Sequence, residues 1–188
     1  MQQAAGGRMR WTARELEWLP DNGNRYEIVD GELLVTRAPH WKHQEVSLRL
    51  GAALDAWSSR TGLGRAAVAP GICFSDADNV IPDVVWVSTA RLEVLLDEAG
   101  HLSGAPELVV EVVSPGSQNE RRDRELKLKL YSLRGVQEYW LVDRTLEQIE
   151  VYRREEAMLK LTGTFLAAET LTTPLLEGFA CPVGALFA

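Results

Sequence analysis

A single carboxylate interrupts the run Leu108-Val109-Val110-Glu111-Val112-Val113. Apolar residues at both parities of a strand mean that both faces are covered, as in an inner strand with another layer on each side. Glu111 enters the interior with that strand. An ionised carboxylate there costs several kcal/mol unless it is paired or holds a cation. A salt bridge to an arginine, or an edge position facing water, would also satisfy it. Asp83 repeats the pattern at the start of a second apolar run, Ile81-Pro82-Asp83-Val84-Val85-Trp86-Val87. A Pro-Asp pair at a strand start is also a common turn device. Two carboxylates on neighbouring strands, facing one way, would form a hard-oxygen pair suited to Mg²⁺ or Mn²⁺. Such an ion polarises a phosphoryl oxygen and acidifies bound water.

The rest of the chain supplies elements to frame those strands. Thr12 and Glu15 form a capping box for a short first helix, with Trp11 and Leu16 as its staple. Asp30-Gly31 between Arg25–Val29 and Glu32–Val35 predicts a tight hairpin. Val46, Leu50, Leu54 and Trp57 recur at helical spacing within a helix over residues 40–60. Strands are expected over 65–69, 71–75, 82–87, 107–113 and 138–142. Residues 149–153 pair with the last of these, and Asp76-Ala77-Asp78-Asn79 is read as a turn. Thr89 to Glu98 reads as a short helix. Residues 119–133 read as a charged helix with the apolar stripe Leu126, Leu130 and Leu133. The order predicts an α/β or α+β sandwich around a mixed sheet. With no repeat and no linker, residues 1–188 read as one domain, and residues 1–10 as a loose lead-in.

Charge limits the partners. Lys and Arg number 20 against 27 Asp and Glu, a net of −7, so a uniformly basic nucleic-acid coat is excluded. A local patch exists between Glu120 and Arg134. There Arg121, Arg122, Arg124, Lys127, Lys129 and Arg134 face Glu120, Asp123 and Glu125, six positive charges against three negative. Most of these read as a solvated face with i,i+4 pairs. Lys127, one residue from Leu126, is placed to point inward beside the two carboxylates. His43 reads first as a capping or packing residue of the long helix, with contact to the site as the lesser alternative. Cys73 and Cys181 are too far apart for a metal pair and read as reduced thiols of a cytoplasmic protein. The histidines lack zinc-ligand spacing, and neither a serine elbow nor a phosphate loop is present. No apolar run is long enough to span a membrane.

Four strings carry a family resemblance: Arg25 to Leu33; Pro82-Asp83; Pro106 to Pro115; and Asp123 through Lys127 to Tyr131, followed by Gly135 to Asp143. Over residues 25–155 the chain resembles the Uma2-type putative restriction endonucleases of the PD-(D/E)XK nuclease superfamily. The resemblance implies an αβββαβ core and a divalent-metal-dependent endonuclease acting on DNA. Asp83 would be the acid of the first half-motif and Glu111 that of the second. Both would hold Mg²⁺ or Mn²⁺, with the Val112 carbonyl as a further ligand. The superfamily lysine two residues after Glu111 is replaced by Val113. Lys127 stands in for it, with Lys129 as the fallback. Glu32 matches a family acid and would assist. DNA would meet the basic helix 121–134, with weak or metal-bridged affinity. A homodimer is implied by the resemblance alone.

Two rivals are compatible with the residues. One is a non-catalytic interaction module on a nuclease scaffold, since fold does not dictate function. The other is a carbohydrate hydrolase using Asp83 and Glu111 as acid and base, although Trp86 and Trp140 sit in strands and read as core.

Overall fold

The computed structural model describes residues 9–114, 116 and 120–188. The expected lead-in up to residue 8, part of the loop after Ser114 and the expected start of the charged helix at residue 119 lie outside them. Arg10, read as part of the lead-in, is anchored instead. Its guanidinium donates to the Asp30 carboxylate at 2.6 Å, and the next amide, Trp11, donates to the Gly31 carbonyl at 2.8 Å. Glu15 caps the first short helix, Ala13–Trp18, by accepting from the Thr12 amide at 2.7 Å.

The strands in chain order are β1 (Arg25–Val29), β2 (Glu32–Thr36), β3 (Gly64–Val68), β4 (Ile72–Ser75), β5 (Asp78–Val80), β6 (Val84–Ser88), β7 (Leu108–Val112), β8 (Glu138–Asp143), β9 (Gln148–Glu155), β10 (Met158–Leu166) and the short pair β11 (Thr170–Leu171) and β12 (Cys181–Pro182). The helices are α1 (Trp41–Thr61), α2 (Thr89–Leu95) and α3 (Leu128–Arg134). A wider-wound π-helical segment, Arg122–Lys127, leads into α3. The chain folds as a mixed α+β structure of the restriction-endonuclease-like type, with helices flanking a mixed central sheet.

The central sheet has the order β10-β9-β8-β7-β6-β3. β7 runs antiparallel to β6 and parallel to β8, so the sheet is mixed and β7 lies inside it. All five β7 residues are buried, as their apolar pattern required. A smaller sheet, β2-β1-β5-β4, contains the expected hairpin. Its turn residues have positive φ, 50° at Asp30 and 74° at Gly31, as an Asp-Gly turn of this hand demands. The segment 76–79 is not wholly a turn. Asp78–Val80 pairs with both β4 and β1, because the smaller sheet needs a strand between them.

Strand alternation sends Leu108, Val110 and Val112 into one cluster with Val46, Leu50, Leu54 and Trp57 of α1. Val109 and Val113 enter the opposite cluster, with Leu130 and Tyr131 of α3 and Val29 and Val80 of the smaller sheet. Glu111 shares their parity. Asp83 shares the parity of Val85 and Val87, which belong to that same opposite cluster. The C-terminal stretch closes the α1 side with Leu171, Leu176, Phe179, Val183 and Leu186. Trp86 and Trp140 are core residues. Their indole N–H groups donate to Ser58 Oγ at 2.9 Å and to the Glu138 carboxylate at 2.8 Å.

The helical stripe expected at Leu126, Leu130 and Leu133 is corrected. Leu130 is buried, but Leu126 and Leu133 are exposed. The wider turns of 122–127 rotate the helix away from ordinary 3.6-residue phase. They bring Asp123 and Lys127 inward, in line with Tyr131. Among the described residues no helix is long and apolar enough to cross a membrane, and Cys73 and Cys181 are free.

Candidate active site

Glu111 is brought together with Lys127. Oε1 of Glu111 accepts from Lys127 Nζ at 2.8 Å and from the Tyr131 hydroxyl at 2.7 Å. Lys127 and Tyr131 are one turn apart on the same inward face. Nζ also lies 2.9 Å from Oε1 of Glu27, so one buried ammonium bridges two buried carboxylates. Glu27 is held in turn by the Ile81 amide, which donates to the same Oε1 at 2.8 Å.

Asp83 joins three elements. Oδ1 accepts from Arg25 Nη1 at 3.0 Å. Oδ2 accepts from the Val112 amide at 2.8 Å and lies 3.2 Å from His43 Nε2. The smaller sheet, α1 and β7 therefore meet at one carboxylate. Asp123 pairs with Arg122, whose Nε donates to Oδ1 at 2.8 Å, while Arg122 Nη1 donates to the Thr36 hydroxyl at 2.7 Å.

Asp83, Glu111, Glu27, His43 and Lys127 line a common cavity of about 20 Å³, room for a single water or ion. Around it stand four carboxylates (Glu27, Asp83, Glu111 and Asp123) and three permanent cations (Arg25, Arg122 and Lys127). Counting only these permanent cations, full ionisation leaves one negative charge over, with His43 beside Asp83 able to offset it; Glu111 registers the crowding. Burial pushes its carboxyl upward and Lys127 pulls it down, but Asp83, Asp123 and Glu27 add to the rise, leaving it at about 8. Asp83 goes the other way. Burial raises it, but the His43 hydrogen bond and charge, Arg25 and the Val112 amide outweigh burial and hold it at about 2. Burial lowers Lys127, yet Glu111, Glu27 and Asp123 more than offset that and raise it above the ordinary lysine value.

The donor set is hard oxygen with a local excess of negative charge, which suits a divalent cation. Asp83 Oδ2 is already doubly engaged. Among the described residues no group of three or more His, Cys, Asp or Glu side chains is arranged to hold a metal. The arrangement fits a small hydrated ion that takes one or two carboxylates and keeps its own waters, as Mg²⁺ does. It does not fit an ion that needs a full cage of protein ligands.

Several expectations are corrected here. Glu32 is exposed beside the hairpin turn and does not line the cavity. Glu32 pairs with Val29 and so shares the face of Glu27, but it sits beside the turn on the edge strand β2, whereas Glu27 lies within β1 and is buried. Lys129 is exposed and lines a separate groove with Leu126 and Leu133. Most cations of the basic helix carry ion-pair partners. Arg121 pairs with Glu125, Arg122 with Asp123, Arg124 with Asp143 and Glu150, and Arg134 with Asp78. His43 is a site neighbour and not merely a packing residue; its Nδ1 is buried without a partner among the described residues. Glu27 carried the same signal as Glu111, an acid inside a β-prone run (Tyr26-Glu27-Ile28), and was missed. Arg25 carried no signal of its own.

The model of a family described as Uma2, putative restriction endonuclease, matches residues 13–184. No curated protein matches the chain. The crystal structure of a putative nuclease belonging to DUF820 from Anabaena variabilis ATCC 29413 superposes with a TM-score of 0.72 at 21% identity, covering 94% of this chain and 97% of that one. At that identity the likeness establishes a shared fold.

Proposed function

The chain belongs to the Uma2 family of putative restriction endonucleases, and on that footing we propose that it is a metal-dependent endonuclease hydrolysing phosphodiester bonds in DNA. The reading takes residues 1–188 as one catalytic unit, working in the cytoplasm as a homodimer. The observation that supports it is the buried cluster of four carboxylates against three cations, with Asp83, Glu111 and Lys127 on one small cavity.

The Asp83 and Glu111 carboxylates, with the Val112 carbonyl, would hold Mg²⁺ or Mn²⁺, which supplies Lewis acidity at a phosphoryl oxygen and acidifies water. Lys127 stays protonated at any working pH, because its two carboxylates hold the charge. It therefore acts as a donor and counter-charge, not as a base. Two of its three N–H groups go to Glu111 and Glu27, and the third is left for a phosphate oxygen or a water in the cavity. A fixed cation there favours the transition state, where negative charge grows on the phosphate. Arg25, His43 and the Val112 amide lock the orientation of Asp83. Glu27 holds Lys127 from the smaller sheet, the assisting part that Glu32 is not placed to play.

The test is cleavage of supercoiled plasmid with Mg²⁺ or Mn²⁺, alongside Mn²⁺ titration by calorimetry. Wild type should nick and linearise DNA. Glu111→Gln and Lys127→Ala should lose cleavage, and Asp83→Asn should lose Mn²⁺ binding while circular dichroism stays native. Clean wild type that never cleaves, or cleavage surviving both substitutions, overturns the assignment. Mn²⁺ binding without cleavage would leave the non-catalytic module as the better reading.

A further inference from the structure

We infer that Tyr131 is a positioning residue that decides which ion the cavity accepts. Its hydroxyl closes Oε1 of Glu111, so that the carboxylate meets an ion through Oε2 alone and the site favours Mg²⁺ over Ca²⁺. This selectivity rests on the metal-dependent reading above and deepens it by naming the residue that sets it.

Both donors to Glu111 fall on one oxygen. Lys127 Nζ donates to Oε1 at 2.8 Å, and the Tyr131 hydroxyl donates to the same atom at 2.7 Å. A carboxylate oxygen has about two lone-pair sites, so Oε1 is saturated. Among the described residues no donor is bonded to Oε2. Glu111 lines the cavity, and Oε2 is the oxygen left for an ion that enters it.

The phenol is fixed in this place. Tyr131 is fully buried. Its ring centroid lies 5.3 Å from that of Tyr139 and 6.4 Å from that of Phe74. A hydroxyl suits the position for a reason of charge. It occupies a lone pair of Glu111 as a neutral donor and leaves the net charge of the cluster as it is. A second cation on Oε1 would cancel the charge that attracts the ion.

Coordination number connects this tether to the choice of ion. Mg²⁺ demands a near-ideal octahedron and keeps several waters, so a single oxygen from a carboxylate satisfies it. Ca²⁺ takes about six to eight oxygens and readily uses both of a carboxylate. Denying Oε1 to the ion therefore costs Ca²⁺ a ligand and costs Mg²⁺ none. Asp83 offers no substitute, because Arg25 already sits on its Oδ1 and the Val112 amide on its Oδ2.

The test is calorimetry with the full chain at one fixed pH, titrating Mn²⁺ and then displacing it with Mg²⁺ or Ca²⁺. Wild type should bind Mg²⁺ more tightly than Ca²⁺. Tyr131→Phe should move the ratio of the two affinities toward Ca²⁺ by about tenfold, the common reach of a residue behind a metal ligand. Tyr139 gives its hydroxyl to the Asp123 carbonyl and not to Glu111 or Asp83, so Tyr139→Phe should leave the ratio unchanged. A purely structural tyrosine would weaken both ions alike, and the fixed pH cancels proton competition from the ratio. Circular dichroism checks that both variants fold. Should Tyr131→Phe not fold, anomalous scattering from crystals of wild type grown with Mn²⁺ answers the same question. It should place the ion against one Glu111 oxygen, the one not bonded to Lys127 and Tyr131. Ca²⁺ bound as tightly as Mg²⁺ in wild type, a ratio unmoved by Tyr131→Phe, or an ion bridged by both Glu111 oxygens overturns the inference. An unmoved ratio with plasmid cleavage intact sinks the selectivity alone. A shifted ratio in a chain that never cleaves sinks the endonuclease reading alone, and a wild type that binds none of the three ions sinks both.

Discussion

Lys127 reaches Glu111 from the helix that follows its strand, with Nζ 2.8 Å from Oε1. The superfamily pattern places such a lysine two residues beyond the acid, on the strand itself, where this chain has Val113. A strand residue at that offset has the same parity as Glu111 and would approach along the sheet. Lys127 approaches from the helical layer above it, and in doing so also meets Glu27 of the smaller sheet.

That double engagement makes Lys127 a structural keystone as well as a charge in the site. Lys127→Met leaves two buried carboxylates facing each other and should destabilise the fold by about 3–5 kcal/mol. Adding Glu111→Gln should recover part of that loss, since one of the orphaned charges disappears. Urea unfolding of the two single variants and the double variant checks the coupling.

Glu111 should also set a slope of stability with pH. Its carboxyl binds a proton more tightly in the folded chain, at about 8, than in the unfolded chain, at 4.5. The contribution is therefore complete below 4.5 and is lost as pH climbs through 8, by at most about 1.4 kcal/mol per pH unit. Unfolding free energies in metal-free buffer between those limits should fall with pH in wild type and stay flatter in Glu111→Gln. A slope unchanged by that substitution would place the extra proton elsewhere.

Glu27 and Glu32 share one face of the hairpin, but Glu27 is buried and Glu32 is exposed beside the turn, and they should behave differently. Glu27→Gln removes a carboxylate that holds Lys127 and accepts the Ile81 amide. It should reduce plasmid cleavage and lower the melting temperature. Glu32→Gln, at an exposed position outside the cavity, should leave cleavage unchanged. Calorimetric scans and nicking rates of the two variants separate these outcomes.

Gly64 tests the sheet independently of the site. A Cβ on Gly64 would overlap the Val87 carbonyl oxygen and the Trp86 indole, where β3 pairs with β6. The obstacle is backbone and a packed ring, neither of which can swing away. Gly64→Ala should cost about 1–3 kcal/mol, visible as a lower urea midpoint with an unchanged slope.

Much of the architecture was open to a reader of the residues. The apolar parity of 108–113 required an inner strand, Asp30-Gly31 required a hairpin, and the spacing of Val46, Leu50, Leu54 and Trp57 required a helix lying on the sheet. These follow from patterns within a few residues, where backbone geometry fixes which side chains share a face. Asp83 and Glu111 stood out for the same reason, as charges on faces that had to be buried. The choice between Lys127 and Lys129, and between Glu27 and Glu32, was of another kind. Each pair offers the same chemistry two to five positions apart; the winner depends on helical phase for the lysines and on position along the hairpin for the glutamates. For the lysines that phase is set by the wide turns of 122–127, which ordinary helical spacing does not foresee. The partners themselves, Glu27 to Lys127, Arg25 to Asp83, and His43 to Asp83, come from distant parts of the chain. They meet because two sheets and a helix close on one point. Ion pairing between segments so far apart is a property of that closure, and no local pattern encodes it.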